Sequence, residues 1–458
     1  MLLTKYIKSN RLVSKMKFRI IRSRILKNIF SVVIASVLGM LLLLAVFCLP
    51  KDKMFRHVYQ SLPILEKEFT DGIVLDGYPA SLTGNFTDCL MLFFCIYDNQ
   101  EHSTLEQVMH MYRGESSEGE GWMPGVSLRD YCNGIGNVKE VEYSRYWHGY
   151  LVILKPLLML TNLNSIRMLM SVTQLLLIGL IIYYSTIRNE GKLALAFLIS
   201  FPFFYFASMF MSLSLSICFY IMTIVVLIQL RFHEELDCKN WYMEFFLVTG
   251  MATAYFDFLT YPLVTLAFPL VVSLYLDKVS WKTKMQKLTG YSVQWGIGYA
   301  GLWVMKWVLS DLLTGSNVID DAVSTLLSRT GTASNGNKFI GLFLVIDRNL
   351  EVYLNWSFYI LGIFAIVWLV YYIAKNKQKY CDLMILKQRM VIISVAMYPI
   401  IWYFVTQNHS EEHYMFTCKN IAIIIFSVIC GIIYETERYE GESDENLQTG
   451  SFRQSKGL

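Results

Sequence analysis

The sequence predicts an all-α, polytopic membrane protein, and three observations support that prediction. Of its 458 residues, 55% are hydrophobic and only 17% are charged, whereas a soluble chain carries about 25% charged residues. The apolar residues lie in runs long enough for helices that cross about 30 Å of hydrocarbon, which takes about 20 residues each. Lys and Arg are concentrated in alternate short loops between these runs, as the positive-inside rule describes for membrane proteins.

About ten transmembrane helices account for the apolar runs. Residues 1–28 precede the first run and contain nine Lys and Arg but no acidic residue. The first run is too long for the apolar part of a signal peptide and has no small-residue cleavage site, so we expect it to be retained as a helix. The expected spans are 29–49, 165–187, 192–208, 210–230, 241–257, 260–277, 288–309, 351–374, 390–406 and 414–434.

Loop charge predicts which ends of these spans share one side of the membrane. Four loops expected on the side of the N-terminus are basic, whereas the short turns at 258–259 and 407–413 contain no Lys or Arg. We therefore expect a cytoplasmic N-terminus at 1–28, a transmembrane domain at 29–435 and a disordered cytoplasmic tail at 436–458. The expected localisation is a cell membrane, most simply a bacterial plasma membrane. The basic loops are 188–191, 231–240, 278–287 and 375–389.

Two predicted external segments are much longer than ordinary connections. The first, residues 50–164, contains two stretches at 54–69 and 88–98 whose composition is typical of helices that lie parallel to the membrane. The second, residues 310–350, contains the polar stretch GSNVIDDAVSTLLSRTGTASNGNKF. We expect this second external loop to form a mobile flap.

Four polar clusters interrupt the apolar sequence, and the predicted topology puts all four on the external face. An ionisable residue at the edge of a span is costly unless it has partners or borders water. We therefore expect the clusters to border one external cavity. They are GNFTD at 84–88, YSRYWHGY at 143–150, YFDFLTYP at 255–262 and NHSEEH at 408–413.

Each cluster also has a purely structural explanation. Asp88 could cap the helix that follows it, since Asp is a common N-cap residue. The Tyr and Trp residues of 143–150 could form a belt at the membrane interface. Asp257, whose neighbours are apolar or aromatic, could accept hydrogen bonds from backbone donors of its own turn. The sequence leaves these alternatives open beside a role in binding or catalysis.

His409 and His413 are four residues apart and would lie on one face of a helix. This pair suits an anion or hydroxyl ligand, or simple exposure to solvent, better than a metal ion, because no third metal ligand is defined. Lys419 follows in the last span, where it could pair with a lipid phosphate or with Asp257, or extend toward the membrane surface. None of the nine cysteines forms a CxxC pair, so we expect the cysteines to be small apolar residues rather than a disulfide or metal framework.

The order of these features resembles the polytopic glycosyltransferases of the GT-C superfamily over residues 29–310. A first transmembrane helix leads into a long external loop, in which FTDCLMLFFCIYDN places an acidic residue before an apolar helix. The loop ends in YSRYWHGYLVILKPLLMLTNLNSIRMLM, an aromatic and basic entry to the second span with Arg167 at its start. The resemblance implies a membrane-embedded enzyme with its active site on the external face.

The chain departs from the family pattern at the catalytic acid. Many members have an acidic pair soon after the first helix, whereas here Asp88 is followed by Cys89 and the nearest upstream acids are Asp76 and Asp71. Each of the three aspartates is therefore a candidate for the family's catalytic residue. We favour Asp88, because it alone directly precedes the apolar helix.

The resemblance implies an inverting transfer of a sugar from a polyprenyl-phosphate donor to a glycan or lipid acceptor, in the synthesis of cell-surface polysaccharide or glycoconjugate. Asp88 would take the proton of the acceptor hydroxyl, and cationic or donor groups would stabilise the departing phosphate. Membrane lipids are expected partners and nucleic acid is not. No metal-binding residue is assigned, and the need for a divalent cation stays open. The residues expected to bind substrate are Asp76, Arg145, Tyr146, Trp147, His148, Asp257, His409, His413 and Lys419.

Two other functions compete with this one. A polysaccharide polymerase or ligase would join lipid-linked chains, but such proteins usually carry their large functional loop late in the sequence rather than first. A transporter of lipid-linked sugars would be expected to show inverted repeats with broken helices at matching positions, and the sequence contains no internal repeat. The sequence identifies neither the sugar nor the acceptor.

Overall fold

The computed structural model of the protein describes residues 2–435 without 71, 79–80, 118–122, 136–137, 334–335 and 378–381, and it describes only the backbone at 2–21 and 69–70. The described chain is helical apart from one antiparallel pair of strands. The predicted all-α class is therefore confirmed.

One long helix and a unit of short elements form the first third of the chain. The helix α1 (Leu2–Phe47) continues from the basic segment into the first apolar run without a break. The short elements are α2 (Lys51–Tyr59), α3 (Leu62–Thr70), α4 (Asn85–Ile96), α5 (Thr104–His110), β1 (Arg113–Ser116), α6 (Pro124–Asn133), β2 (Val138–Val141) and α7 (Leu151–Leu160). The strands β1 and β2 pair with Arg113 opposite Val141.

Helices of very different length follow. The longer ones are α8 (Leu163–Ile187), α11 (Leu213–Cys238), α12 (Tyr242–Phe256), α13 (Leu263–Leu276), α14 (Trp281–Thr314), α15 (Val318–Arg329), α16 (Lys338–Glu351), α17 (Trp356–Lys375), α18 (Leu383–Ile393) and α22 (Ile421–Ile433). The shorter ones are α9 (Gly191–Ser200), α10 (Phe206–Met211), α19 (Met397–Val405), α20 (Gln407–Glu412) and α21 (Tyr414–Thr417).

Six helices in the described part of the chain are long and apolar enough to cross a membrane, which supports a membrane protein but not all ten expected spans. Four expected spans, 192–208, 241–257, 260–277 and 288–309, have no such helix. The helices α12 and α13 contain only 15 and 14 residues, too few to cross the hydrocarbon unaided at about 1.5 Å per residue. The six are Arg22–Phe47, Leu163–Ile187, Leu213–Cys238, Trp356–Lys375, Leu383–Val405 and Tyr414–Ile433.

Both long external segments differ from their predictions. The stretch 88–98 lies mostly in α4, whose residues are all buried except Phe86. Because α4 is apolar on every side, it is enclosed by protein rather than laid on the membrane surface. Residues 310–350 are largely helical, since the end of α14 is followed by α15 and α16. The expected mobile flap is therefore built largely of helices, and its mobility stays a prediction.

Glycines allow α12 and α14 to approach closely. A Cβ atom on Gly250 would lie 2.1 Å from the carbonyl oxygen of Trp295, and a Cβ on Gly298 would lie 2.1 Å from that of Leu247. Small residues at such crossings let two helix backbones pack directly. The neighbouring helix α13 is buried along its whole length. This packing holds the turn between α12 and α13 in place.

Ion pairs gather at one end of the helical bundle. Lys287 binds both Asp237 and Asp277 at 2.8 Å, and Lys27 binds Glu244 at 2.6 Å. These residues come from α1 and from the edges of loops expected to be cytoplasmic. The structure therefore brings together the loops that the charge pattern assigns to one side. The expected tail, 436–458, lies outside the described residues.

Three fully buried lysines hold the ends of short helices. Lys155 donates to the Cys95 carbonyl oxygen near the end of α4 (2.8 Å), and Lys306 donates to that of Met109 near the end of α5 (2.7 Å). Lys284 does the same at the end of α13. A cation at a helix C-terminus satisfies free carbonyls and opposes the helix dipole.

Candidate functional site

Asp88 lies in the first turn of α4 and is fully buried. Its carboxylate accepts hydrogen bonds from the backbone N–H groups of Leu213 (2.8 Å) and Ser214 (2.9 Å), and from the hydroxyls of Ser212 (3.0 Å) and Ser214 (2.7 Å). These donors form the start of α11, whose first N–H groups have no partner within the helix. Asp88 is therefore a cap, as one prediction had it, but of α11 rather than of its own helix.

An arginine–glutamate pair completes the surroundings of Asp88. Arg167 is 2% exposed, binds Glu68 through both guanidinium NH groups and lies 4.0 Å from Asp88. A Cβ atom on Gly84 would lie 2.4 Å from the Ser214 hydroxyl, so only glycine leaves room for this donor. Burial raises the pKa of Asp88, while the charge of Arg167 and the hydrogen bonds from α11 lower it.

Asp257 lies in the turn between α12 and α13 and is also buried. Its carboxylate accepts hydrogen bonds from the backbone N–H (3.0 Å) and the hydroxyl of Thr260, which is the turn-stabilising role suggested by the sequence. The Thr260 hydroxyl lies 3.6 Å from the sulfur of Cys218, one helical turn after Ser214 on α11. The two carboxylates therefore flank the start of one helix. We call Asp88 and Asp257 the acidic centre.

The aromatic stretch 143–150 forms an inner layer and not a belt at the membrane interface, because Tyr146, Trp147 and His148 are buried. Trp147 Nε1 donates to a backbone carbonyl of α14 at 2.7 Å. His148 Nε2 donates to the Tyr143 carbonyl oxygen at 2.9 Å, and its Nδ1 accepts from a tyrosine hydroxyl at 3.0 Å. Burial lowers the pKa of His148 to about 3. The imidazole is therefore neutral and engaged on both sides.

Arg329, the last residue of α15, contacts both histidines of the NHSEEH segment. Its guanidinium lies 3.2 Å from Nδ1 of His409, contacts Nε2 of His413 and pairs with Glu412 at 3.2 Å. His409 Nε2 donates to the Leu259 carbonyl oxygen at 3.0 Å, which leaves Nδ1 to accept from Arg329. Burial, with Arg329 adding to it, lowers the pKa of His409 to about 3 and that of His413 to about 4. Both imidazoles are neutral near physiological pH.

Arg145 lies near Arg329 and lines the same small cavity. Its guanidinium binds the carboxylate of Asp321 with distances of 2.8 and 3.2 Å. A cavity of about 30 Å³ lies between the two arginines and is lined also by Tyr146 and Trp303. The Nε of Arg145 and the Nε1 of Trp303 are buried without a hydrogen-bond partner among the described residues. We call Arg145, Arg329, His409 and His413 the basic centre.

The turn at 257–260 joins the two centres. It supplies Asp257 to the acidic centre, and its Leu259 carbonyl oxygen binds His409 of the basic centre. The ring of Phe258 lies 5.9 Å from that of Tyr146, in the aromatic stretch. Three of the four polar clusters are therefore in direct contact, and the fourth, with Asp88, reaches them through the first turns of α11.

Three predicted residues lie away from this arrangement. Asp76 is exposed in a turn, and no described contact links it to either centre. Lys419 is fully buried and donates to the Met415 carbonyl oxygen at 2.9 Å. It neither extends to the membrane surface nor pairs with Asp257 in the described structure, so both of those expectations are wrong. Asp71 lies outside the described residues.

An apolar cavity of about 440 Å³ adjoins the acidic centre. Its walls come from α4, α7, α8 and α11 and include Met91, one turn after Asp88, and Leu213, whose N–H binds Asp88. The volume is in the range of sites for small molecules. The cavity thus places space for an apolar ligand within about one helical turn of Asp88, which is not itself among the lining residues.

Sequence reasoning missed Arg329 and the serines that bind Asp88. Arg329 ends VIDDAVSTLLSR, in which apolar residues recur at helical spacing. That spacing predicts a helix within the supposed flap, although not its contact with the histidines. Ser212 precedes an apolar run and so carries the signal of an N-cap. Neither signal reveals which distant residue will be the partner.

No group of three or more His, Cys, Asp and Glu side chains in the described part of the chain is arranged to hold a metal ion. No family model matches the chain, and neither does any curated protein or solved structure. The resemblance to GT-C glycosyltransferases stays a prediction.

Proposed function

We propose that the protein is an integral membrane glycosyltransferase that moves a sugar from a polyprenyl-phosphate donor to a glycan or lipid acceptor on the external face of a cell membrane. The observation that carries the proposal is the apolar cavity lined by Leu213, whose backbone N–H binds Asp88. A prenyl chain would occupy the cavity, while its phosphate and sugar would meet the polar groups around the start of α11. A lipid-linked donor needs an apolar site for its chain close to polar groups for its phosphate and sugar.

The chemistry assigns different tasks to the two centres. A carboxylate of the acidic centre takes the proton of the acceptor hydroxyl, whose oxygen forms a bond to the anomeric carbon. The bond from that carbon to the phosphate oxygen breaks, and the phosphate leaves with the electron pair. Arg145 and Arg329 supply positive charge for the departing phosphate. For Asp88 to act as the base, the acceptor hydroxyl must replace one of its serine donors.

Sugar transfer in proteoliposomes tests the proposal. The purified protein is supplied with undecaprenyl-phosphate hexoses labelled in the sugar and with a membrane extract as acceptor. We expect Asp88→Asn or Asp257→Asn to lower transfer by about 10²-fold or more, because a general base contributes about 10²- to 10⁴-fold. Asp52→Asn, an exposed position on α2, is the matched control. Label that stays lipid-linked with every hexose would refute the proposal.

A transporter of lipid-linked sugars is the second candidate, and one observation favours it. Both carboxylates of the acidic centre are buried and already bound by donors of the protein, as suits a site that binds without reacting. In the same proteoliposomes, a transporter would move labelled lipid to the opposite leaflet and leave its sugar attached. Movement without a new covalent product would select this function over glycosyl transfer.

A further inference from the structure

The helix α15 covers the basic centre and is tied down by an ion pair near each end. Near its start, Asp321 binds Arg145, and at its end Arg329 binds Glu412. Both arginines also line the cavity of about 30 Å³ beneath the helix. That volume holds about one water molecule. Two guanidinium groups therefore face a nearly closed space while their charges are neutralised by carboxylates of the same chain.

Few apolar contacts fasten α15 to the rest of the protein. Val318 and Ala322 are its only buried residues, so apolar burial contributes little to holding it. The helix begins after Gly315, whose φ of +68° suits a change of chain direction. Asp311 accepts a hydrogen bond from the Val318 N–H at 2.7 Å, which keeps the start of the helix in place. Polar contacts therefore hold the helix at both ends, because the Ser328 carbonyl oxygen near its end also accepts a hydrogen bond from Asn408 Nδ2 at 3.1 Å.

The carboxylates that hold the cover are exposed and easily replaced. The side chains of Asp321 and Glu412 are 48% and 62% exposed, and ion pairs this exposed stabilise a structure only weakly. Arg145 Nε and Trp303 Nε1 are donors beside the cavity that have no partner in the described part of the chain. An anionic ligand with several oxygens would satisfy donors that the two carboxylates leave free.

We propose that Asp321 and Glu412 occupy the basic centre in place of a phosphate-bearing ligand, and that α15 is released when such a ligand takes over Arg145 and Arg329. The protein thus carries an internal competitor for its own anion site. The inference rests on the proposed function only for the identity of the ligand, a lipid-linked phosphate. The competition itself requires no sugar transfer.

Binding of inorganic pyrophosphate to the purified full chain tests the competition. We expect Asp321→Asn/Glu412→Gln to bind labelled pyrophosphate more tightly than the parent protein, on the order of tenfold for the loss of two exposed ion pairs. The matched control is Asp320→Asn/Glu351→Gln, which removes the same charge from a neighbouring position of α15 and from an exposed carboxylate that pairs with Arg348. Equal affinity of the two double variants, or no binding to either, would overturn the proposal.

A labelling experiment tests the release of α15 separately. Thr325 lines the covered cavity, and a cysteine there should react faster with a membrane-impermeant maleimide in the Asp321→Asn/Glu412→Gln background than in the control background. Labelling of the same chains without Thr325→Cys corrects for native cysteines. Unchanged reaction rates would show that the two ion pairs do not hold the helix. Neither outcome depends on glycosyl transfer, so a failure of the proposed function would be recognised separately.

Discussion

The acidic and the basic centre meet at one turn but are built in opposite ways. Asp88 has no exposed surface, and its donors belong to the start of a long helix. In the basic centre, the side chains of Arg329 and His413 are 24% and 33% exposed, and every partner of Arg329 is a side chain. The first centre is therefore part of the fold, whereas the second can exchange partners without unfolding its surroundings.

Removal of the Asp88 carboxylate should have the largest effect on stability. Asp88→Ala leaves the N–H groups of α11 and two serine hydroxyls without their acceptor and Arg167 without one of its two acidic neighbours. We expect the free energy of unfolding to fall by about 3–5 kcal/mol, as for other broken buried charge networks. Chemical denaturation in detergent measures the change against Asp52→Ala. A loss similar to that of the control would mean that the acidic centre is not structural.

The next largest loss of stability is expected on acidification, which protonates the histidines of the basic centre. The pKa of His413 is about 4 and that of His409 about 3 in the folded protein, below the ordinary value of 6.5. The unfolded chain therefore binds more protons, so stability should fall as the pH is lowered from about 6.5 toward 4. Unfolding midpoints measured between about pH 6.5 and 4 give the slope of stability against pH.

A double variant identifies the groups that cause this dependence of stability on pH. His409→Gln/His413→Gln should flatten it, and the slope that remains should come from groups such as His148, whose pKa is also lowered to about 3. An unchanged slope in the double variant would place the acid-sensitive groups elsewhere in the chain.

The smallest stability effect is expected at the cover of the basic centre. Asp321→Asn removes an exposed ion pair and should lower the free energy of unfolding by less than about 1 kcal/mol. Asp320→Asn, the adjacent position on α15, is the control for charge and helix propensity. A loss as large as that of Asp88→Ala would erase the distinction between the two centres.

Composition and charge pattern predicted more of the fold than of the site. Apolar runs identified six candidate membrane helices, because length and hydropathy are local properties. The runs at 241–257 and 260–277 are not confirmed as spans, since a helix buried within protein is as apolar as one that faces lipid. The same ambiguity explains α4, whose apolar faces pack against other helices and not against the membrane.

The site could be predicted as a gathering of clusters but not as a set of partners. Alternation of the spans places Asp257 and His409 at one end of the bundle, and the structure joins them through Leu259. That Asp88 would cap a helix 125 residues away, or that Arg329 would contact two histidines, depends on the three-dimensional packing. The spacing of residues along the sequence does not predict such long-range pairs.

The buried ammonium of Lys306 imposes an order on biosynthesis. Lys306 belongs to α14, yet its acceptor, the Met109 carbonyl oxygen, was synthesised 197 residues earlier. A buried ammonium without hydrogen-bond acceptors is strongly unfavourable. We therefore expect the unit that contains α5 to be folded before α14 packs against it. The unit of short elements between α1 and α8 would then serve as a template on which a later helix is assembled.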